Sequence, residues 1–200
     1  MATIDAKTVA QLRKQTGAPM MDCKHALEET GGDIEEAILV LRKKGLKTAE
    51  QRAGRQVAEG RLFSYVHHNG KLAVLAEVLC ETDFVARNEE FLQFGKDLCV
   101  HIAASAPRFV SEEDVDPAVL EREREVAAAQ AREDMAGKPE EIVNRAIEGR
   151  VKKFVKENCL LMQPWLHDAN KTVDQVRNEL VAKIGENVQI RRFVRLELGR

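Results

Sequence analysis

The chain has 200 residues, of which 44% are hydrophobic, 32% charged and 4% aromatic. This length accommodates one medium domain, or a small module beside a core domain, and the composition argues against disorder. The formal net charge is -2 at pH 7, so the molecule as a whole lacks the broad cationic field that binding to polyphosphate requires.

The cysteines and the N-terminal segment predict a cytoplasmic protein. Cys23, Cys80, Cys99 and Cys159 are widely separated and form no CxxC pair, which favours reduced, packed thiols over a disulfide framework or a zinc site. The opening MATIDAKTVAQLRKQ has no apolar run of the secretory type. No later segment approaches the ~20 apolar residues of a membrane span, so no membrane association is expected.

Residues 1–45 predict a module of three short helices. Val9 and Leu12 mark the first helix, and Pro19 suits the first turn of the second. Ile34, Ala37, Ile38 and Leu41 share one face of the third helix. Its expected limits are the capping-box-like pair of Asp33 with Glu36 at the start and Gly45 at the end.

Residues 46–60 are polar, punctuated by glycine and locally basic, which predicts a tether to a core domain over 61–200. The core begins with two predicted strands, RLFSYVHH and KLAVLAEVLC. They flank Asn69-Gly70, a dipeptide that favours a type I′ hairpin turn with positive φ at both central residues.

The rest of the core is predicted to be mainly helical. A helix follows in which Phe91, Leu98 and Ile102 share one face. Two charged helices, broken at Gly137 and restarted at Pro139, predict a helical hairpin around 117–158. KTVDQVRNELVAKIG predicts another helix.

The final NVQIRRFVRLEL has the alternation of a strand, which places Val188, Ile190, Val194, Leu196 and Leu198 on one side. The predicted fold class is therefore α+β, with a small antiparallel sheet packed with helices and a protruding helical hairpin.

Motifs of catalysis and cofactor binding are missing from the sequence. It contains no GxxxxGK[ST], GxSxG, HExxH or GxGxxG, so we expect neither an enzyme nor a bound cofactor. His67 and His68 are adjacent on a predicted strand, and neighbouring strand residues point to opposite faces. A metal site at this pair is therefore not expected.

Nucleic-acid binding is an alternative for the basic run of residues 42–55, because clustered lysine and arginine bind phosphate. Its cations are Arg42, Lys43, Lys44, Lys47, Arg52 and Arg55. No aromatic residues for base stacking are interleaved with them. We therefore interpret the run as a solvated linker.

The connection CETDFVARNEEF, residues 80–91, allows two interpretations. Thr82 or Asp83 could cap a following turn while Phe84 fills the core. Alternatively, Phe84 beside the carboxylate of Asp83, at the end of a rigid hairpin, could wedge into a groove of a partner protein.

Several segments resemble the elongation factor Ts family. VAQLRKQTGAPMMDCKHALEETGGDIEEAILVLRKKG is similar to its opening and ETDFVARNEEF to its signature. HIAASAPRFV, EGRVKKFVKENCLLMQPW and KIGENVQIRRFVRLELG are similar to later blocks. The resemblance spans nearly the whole chain and follows the short members of the family.

The resemblance implies a factor that promotes GDP release from elongation factor Tu without covalent catalysis. Its fold would be a ubiquitin-associated-like helical module, an α+β core and a helical hairpin. In the family pattern the TDFV segment, here Thr82, Asp83, Phe84 and Val85, displaces magnesium, with Phe84 as the wedge. Further partner contacts would map onto Leu12, Met20, Met21 and His101.

Two positions depart from the family pattern: Pro19 stands where glycine is frequent, and His25 where lysine is common. Short members lack a second half-core, so the last strand would have an open edge, and we predict a homodimer. A plain protein adaptor, with Phe84 in the core, and a nucleic-acid-binding protein remain the alternatives to an exchange factor.

Overall fold

The structure is a computed structural model that describes residues 4–199. The chain forms two compact units. The first unit holds the chain up to Leu62 together with Glu77–Gly95 and Gln175–Ile190. The second unit holds Phe63–Ala76, Lys96–Asp174 and the chain from Arg191 onward.

Three helices open the first unit, as predicted: α1 (Ala6–Thr16), α2 (Met20–Glu29) and α3 (Ile34–Arg52). The Asp5 and Asp33 side chains accept backbone hydrogen bonds at the starts of α1 and α3. Pro19 immediately precedes α2. The shared core of these helices consists of Val9, Leu12, Cys23, Ala26, Leu27, Ala37 and Leu41.

The prediction that α3 ends at Gly45 is wrong, because the helix continues to Arg52 and includes half of the expected tether. A Cβ atom on Gly45 would lie 3.3 Å from the Cβ of Ala182. Gly45 therefore marks a close approach of two chain segments, and the buried Ala49 one turn later continues this packing. The close packing at Gly45 and the burial of Ala49 offset the roughly 1 kcal/mol that glycine costs in a helix interior.

The predicted hairpin forms from β1 (Glu59–Val66) and β2 (Leu72–Cys80), but its turn is not type I′. Gly70 has φ 67°, whereas Ala106 is the only described non-glycine residue with positive φ, so Asn69 has negative φ. The Gly70 N–H donates to the His67 carbonyl, and the His67 N–H donates to the Leu72 carbonyl. Four residues thus form the loop, and glycine occupies the last position of its tight turn.

The helices that follow confirm the predicted order. A four-residue helix α4 (Asp83–Ala86) precedes α5 (Glu89–Ser105), in which Phe91, Leu98 and Ile102 are fully buried. The later elements are α6 (Pro117–Asp134), α7 (Glu140–Asn158), β3 (Pro164–Trp165), β4 (Asp168–Thr172), α8 (Val173–Ile184) and β5 (Val188–Glu197). The small β3–β4 pair had no sequence prediction.

Helices α6 and α7 form the predicted helical hairpin. Gly137 has φ 83° in the connection, and Pro139 precedes α7. Ala127 and Ala131 of α6 pack with Ile147 and Val151 of α7 in a small core. Alanine on one helix and branched residues on the other let the helix backbones lie close together.

Among the described residues, three strands form one sheet in the order β1-β2-β5. The prediction that the last segment forms a strand able to join the hairpin is confirmed, because β5 pairs with β2, but burial differs along the strand. Val188 and Ile190 are buried, whereas Val194 and Leu196 are 51% and 67% exposed. The consecutive exposed residues Arg191 and Arg192 lie between the buried and the exposed parts of the strand.

The four cysteines are free thiols and all are buried, which confirms the prediction of packed cysteines. Burial raises the pKa of the Cys80 and Cys99 thiols to about 11. Burial likewise raises the pKa of the Cys159 thiol. Thiolate, the reactive form, is therefore scarce at neutral pH.

Candidate partner-docking site

The segment Thr82–Val85 lies directly after β2 and forms the start of α4. Thr82 has extended backbone dihedrals, and its hydroxyl accepts a hydrogen bond from the Val85 N–H. This contact satisfies one of the backbone donors that the start of a helix leaves unpaired. Of the two candidate caps in the sequence, Thr82 and Asp83, the structure selects Thr82.

Glu186, in the connection between α8 and β5, holds Thr82 in place. The Thr82 N–H donates to Glu186 Oε2 over 3.0 Å, and the Thr82 hydroxyl donates to Glu186 Oε1 over 2.7 Å. Both oxygens of one carboxylate thus accept hydrogen bonds from one residue. Such charge-assisted bonds are stronger than hydrogen bonds between neutral groups.

Phe84 projects into solvent from α4. Its side chain is 81% exposed, the highest value among the large apolar side chains that the structure describes. The next two residues, Val85 and Ala86, are each only 8% exposed. One side of α4 is thus packed while the aromatic ring faces outward, so Phe84 does not fill the core of the free protein.

Asp83 is partly exposed beside Phe84, and it is paired with Arg87 one turn later. The Arg87 guanidinium donates to Asp83 Oδ2 over 2.6 Å. The Arg87 side chain is 75% exposed, so the pair is a solvated one of small net energy. A partner can therefore replace Arg87 at little cost.

Helix α2 contributes a second exposed apolar pair to the first unit, because Met20 and Met21 are 47% and 55% exposed. Leu12, expected beside them as a partner contact, is fully buried in the core of the three helices. Its side chain is therefore unavailable for direct contact with a partner. Leu12 packs the module that carries the two methionines.

His101, the remaining expected contact, is also fully buried. Its Nε2 lies 3.0 Å from Gln163 Oε1, and its ring stacks on Trp165 with centroids 5.3 Å apart. The Gln163 side-chain amide donates to the Glu157 and Ser105 carbonyls. Gln163 Oε1 is therefore the acceptor, and His101 Nε2 carries the proton.

The other ring nitrogen of His101, Nδ1, has no hydrogen-bond partner. Burial lowers the pKa of His101, because the low-dielectric surroundings disfavour a charged ring. His101 is thus a neutral, packed side chain in the second unit. A direct contact with a partner would need Trp165 or its neighbours to move.

The side chains of His67 and His68 do not point to opposite faces as the sequence suggested, because β1 ends at Val66. Their ring centroids lie 4.2 Å apart in the loop, and the Tyr65 hydroxyl lies 2.8 Å from His67 Nδ1. Across residues 4–199, no cluster of three or more His, Cys, Asp or Glu residues could hold a metal ion.

Sequence reasoning missed Glu186, which lies 104 positions from Thr82. It also missed Gln163 and Trp165 around His101. The only local signal at Glu186 is its position after Gly185, where a helix ends and a strand begins. Nothing in that pattern indicates which distant residue the carboxylate will contact.

These observations define an α+β protein with a candidate protein-docking surface built around an exposed aromatic ring. Among the described residues, no helix combines the length and hydropathy needed to cross a bilayer.

The chain matches the family model described as Elongation factor TS over residues 1–179. It is 54% identical to an elongation factor Ts of Desulforamulus reducens over 199 residues, covering 100% of this chain and 91% of the relative. It is 56% identical to that of Geobacter metallireducens over 197 residues, covering 98% and 90%. The relative from Thermoanaerobacter sp. is 54% identical over 196 residues, covering 98% and 95%. The chain belongs to the elongation factor Ts family.

Proposed function

We propose that this chain binds elongation factor Tu in its GDP-bound form, displaces the magnesium ion and promotes GDP release so that GTP can bind. Membership of the elongation factor Ts family supports a role in translation elongation and nucleotide exchange. Such a factor makes and breaks no covalent bond. The proposed partner and mechanism go further than the family name.

The observation that carries the proposal is the 81% exposure of Phe84 on a helix held at its first residue. An exposed aromatic ring on a fixed backbone forms a strong contact when a partner covers it, because little entropy is lost. The ring would enter the GTPase near its nucleotide site. Met20 and Met21 would form a second contact, and Asp83 would leave Arg87 to approach the metal region.

The mechanism is thermodynamic linkage. A factor that binds nucleotide-free GTPase more tightly than the GDP complex must weaken GDP binding by the same ratio. Magnesium neutralises phosphate charge, and the backbone N–H groups of a phosphate loop bind the same oxygens. Displacing the ion and spreading the loop removes both contributions, and incoming GTP reverses the steps.

The first test is stopped-flow measurement of labelled GDP leaving purified elongation factor Tu. Wild-type factor should accelerate release, and Phe84→Ala should reduce the acceleration roughly thirtyfold, the effect of losing a contact worth about 2 kcal/mol. The matched control is Leu39→Ala, which removes another exposed apolar side chain of the first unit and should leave the rate unchanged.

Because Phe84 is exposed, its replacement should also leave the melting temperature unchanged. Unaltered GDP release with Phe84→Ala would refute the proposed wedge. Binding to the GTPase without faster release would indicate a binding protein that does not promote exchange. A steeply salt-dependent affinity for RNA would instead favour the nucleic-acid alternative.

We also propose that two copies of the chain associate through the second unit. There Val66 and Leu75 alternate with buried strand residues, so they lie on the open face of the sheet. Leu196, 67% exposed, and Leu198, 77% exposed, extend this apolar surface near β5. Strand β5 is an edge strand, and a second copy covering this face would remove apolar area from water.

We place this activity in the cytoplasm, where free thiols stay reduced. The four buried, unpaired cysteines are consistent with that compartment. The proposal involves neither a cofactor nor direct contact with nucleic acid.

A further inference from the structure

Two short segments of the first unit are joined by a reciprocal pair of hydrogen bonds. The Thr82 N–H donates to Glu186 Oε2 over 3.0 Å, and the Asn187 N–H donates to Glu81 Oε1 over 2.7 Å. The dipeptides Glu81-Thr82 and Glu186-Asn187 are thus joined symmetrically. The carboxylate of each glutamate accepts the backbone N–H of the residue that follows the other glutamate. We call these four residues, Glu81, Thr82, Glu186 and Asn187, the carboxylate clamp.

The carboxylate clamp also reaches the residues that follow α3. Asn187 is only 1% exposed. Its side-chain amide donates to the Ala53 carbonyl over 3.2 Å and to the Arg55 carbonyl over 3.0 Å. The Arg55 guanidinium lies 3.5 Å from Glu81 Oε2. Asn187 thereby satisfies backbone acceptors where α3 has ended and the strand has not begun.

The hydroxyl of Thr82 connects the carboxylate clamp to α4. It donates to Glu186 Oε1 and accepts from the Val85 N–H. A helix of four residues has almost no stability of its own, because helix nucleation is unfavourable. The ring of Phe84 is too exposed to be fixed by packing. The direction of Phe84 therefore depends on the backbone of α4, which Thr82 fixes at its start and the buried Val85 and Ala86 hold on its packed side.

We propose that Glu186 is a positioning residue for nucleotide exchange, which holds Thr82 so that α4 presents Phe84 to the GTPase. This inference rests on the proposed function. It adds a residue outside the Thr82–Val85 segment to the machinery of exchange. Glu186 acts through Thr82 and contacts no reacting group.

The decisive variant is Glu186→Gln, which preserves side-chain volume but replaces the carboxylate by a neutral amide, so that the bonds to Thr82 lose their charge assistance and the Thr82 hydroxyl must turn from donor to acceptor. Hydrogen bonds to a charged group are about twice as strong as those between neutral groups, so we expect stimulated GDP release to slow about tenfold. Glu50→Gln makes the same chemical change on an exposed position of α3 and should leave the rate unchanged.

A double-mutant cycle separates positioning from general destabilisation. If Glu186 acts by directing Phe84, Glu186→Gln should have no further effect in a Phe84→Ala background. Thr82→Val, which removes the hydroxyl, should slow release, and Thr82→Ser, which retains the hydroxyl, should slow it less. An undiminished effect of Glu186→Gln in the Phe84→Ala background, or no effect in the wild type, would overturn the proposal.

Amide hydrogen exchange tests the carboxylate clamp without the GTPase. The Thr82 amide should be protected in the free wild-type protein and should exchange about tenfold faster in Glu186→Gln. If the wild-type protein fails to accelerate GDP release, the proposed function is wrong, yet this difference would still support the clamp. Equal exchange in both proteins would overturn it, whatever the release rates.

Discussion

Phe84 and His101 illustrate how a residue's surroundings decide what its side chain can do. Both belong to motifs that the family resemblance associates with partner binding. Phe84 is 81% exposed while His101 is 0% exposed. Both lie on helices, but Phe84 occupies the outward side of a four-residue helix and His101 the inward side of a long one. Only Phe84 can contact a partner without rearrangement of its surroundings.

The burial of His101 predicts a pH dependence of stability in the second unit. Its pKa is lowered from 6.5 in the folded state, first by desolvation, with His167 acting in the same direction and Gln163 opposing. As pH falls through about 6.5, the unfolded chain gains a proton that the folded ring resists. The contribution of His101 to the free energy of unfolding is therefore fully present above that pH. It is lost below that pH, at up to about 1.4 kcal/mol per pH unit.

Urea denaturation between pH 7.5 and 5.5 measures this effect, with fluorescence of the single tryptophan, Trp165, as the probe. Trp165 stacks on His101, so its signal reports the relevant region. His101→Gln should flatten the pH dependence, while His68→Gln, at an exposed position, should preserve it. An equally steep loss of stability in His101→Gln would contradict the assignment.

Glycines in regular elements differ in what a side chain would meet. A Cβ atom on Gly60 of β1 would lie 2.4 Å from the Val78 carbonyl oxygen and 2.7 Å from the Leu79 Cα atom. Both contacts are with backbone, which cannot turn aside as a flexible side chain could. Gly149 in α7 has no atom within 4 Å of the corresponding position.

Gly60→Ala should therefore lower the free energy of unfolding by more than about 2 kcal/mol, because the hairpin backbones must separate. Gly149→Ala should raise it by up to about 1 kcal/mol, because alanine is the better helix former. Urea denaturation followed by circular dichroism measures both. Tolerance of alanine at position 60 would show that β1 and β2 do not approach so closely.

Local patterns predicted the elements well where a periodic run has clear punctuation. The three N-terminal helices, the β1–β2 hairpin and the α6–α7 hairpin all follow from apolar spacing, caps and glycine or proline breaks. The error at Gly45 has a tertiary cause, because the close approach to Ala182 overrode the local signal for a helix end. The error in the hairpin turn is local, because Asn69 has negative φ.

At the candidate site too, the local feature was predictable from the sequence and the long-range contacts were not. The cap is a local feature, and the sequence narrowed it to Thr82 or Asp83. The exposure of Phe84 and the contact of Thr82 with Glu186 depend on how the chain folds back on itself. A sequence pattern cannot supply that information, because the two partners are separated by 104 positions.

At the scale of the whole molecule, the exposed apolar residues of the second unit predict a homodimer. Leu196 is 67% exposed near the end of an edge strand. Light scattering at micromolar concentration should give about twice the 22.4 kDa mass of one chain. Leu196→Lys should give the single-chain mass, because a second copy would have to bury an unpaired charge.

The matched control for this prediction is Val126→Lys, which puts the same charge on a 52% exposed residue of α6. That variant should remain dimeric, since the open face of the sheet does not include α6. Monomeric wild-type protein would contradict the proposed dimer. Dissociation of both variants would show that added charge, rather than the position of Leu196, separates the copies, and the interface would then have to be sought elsewhere.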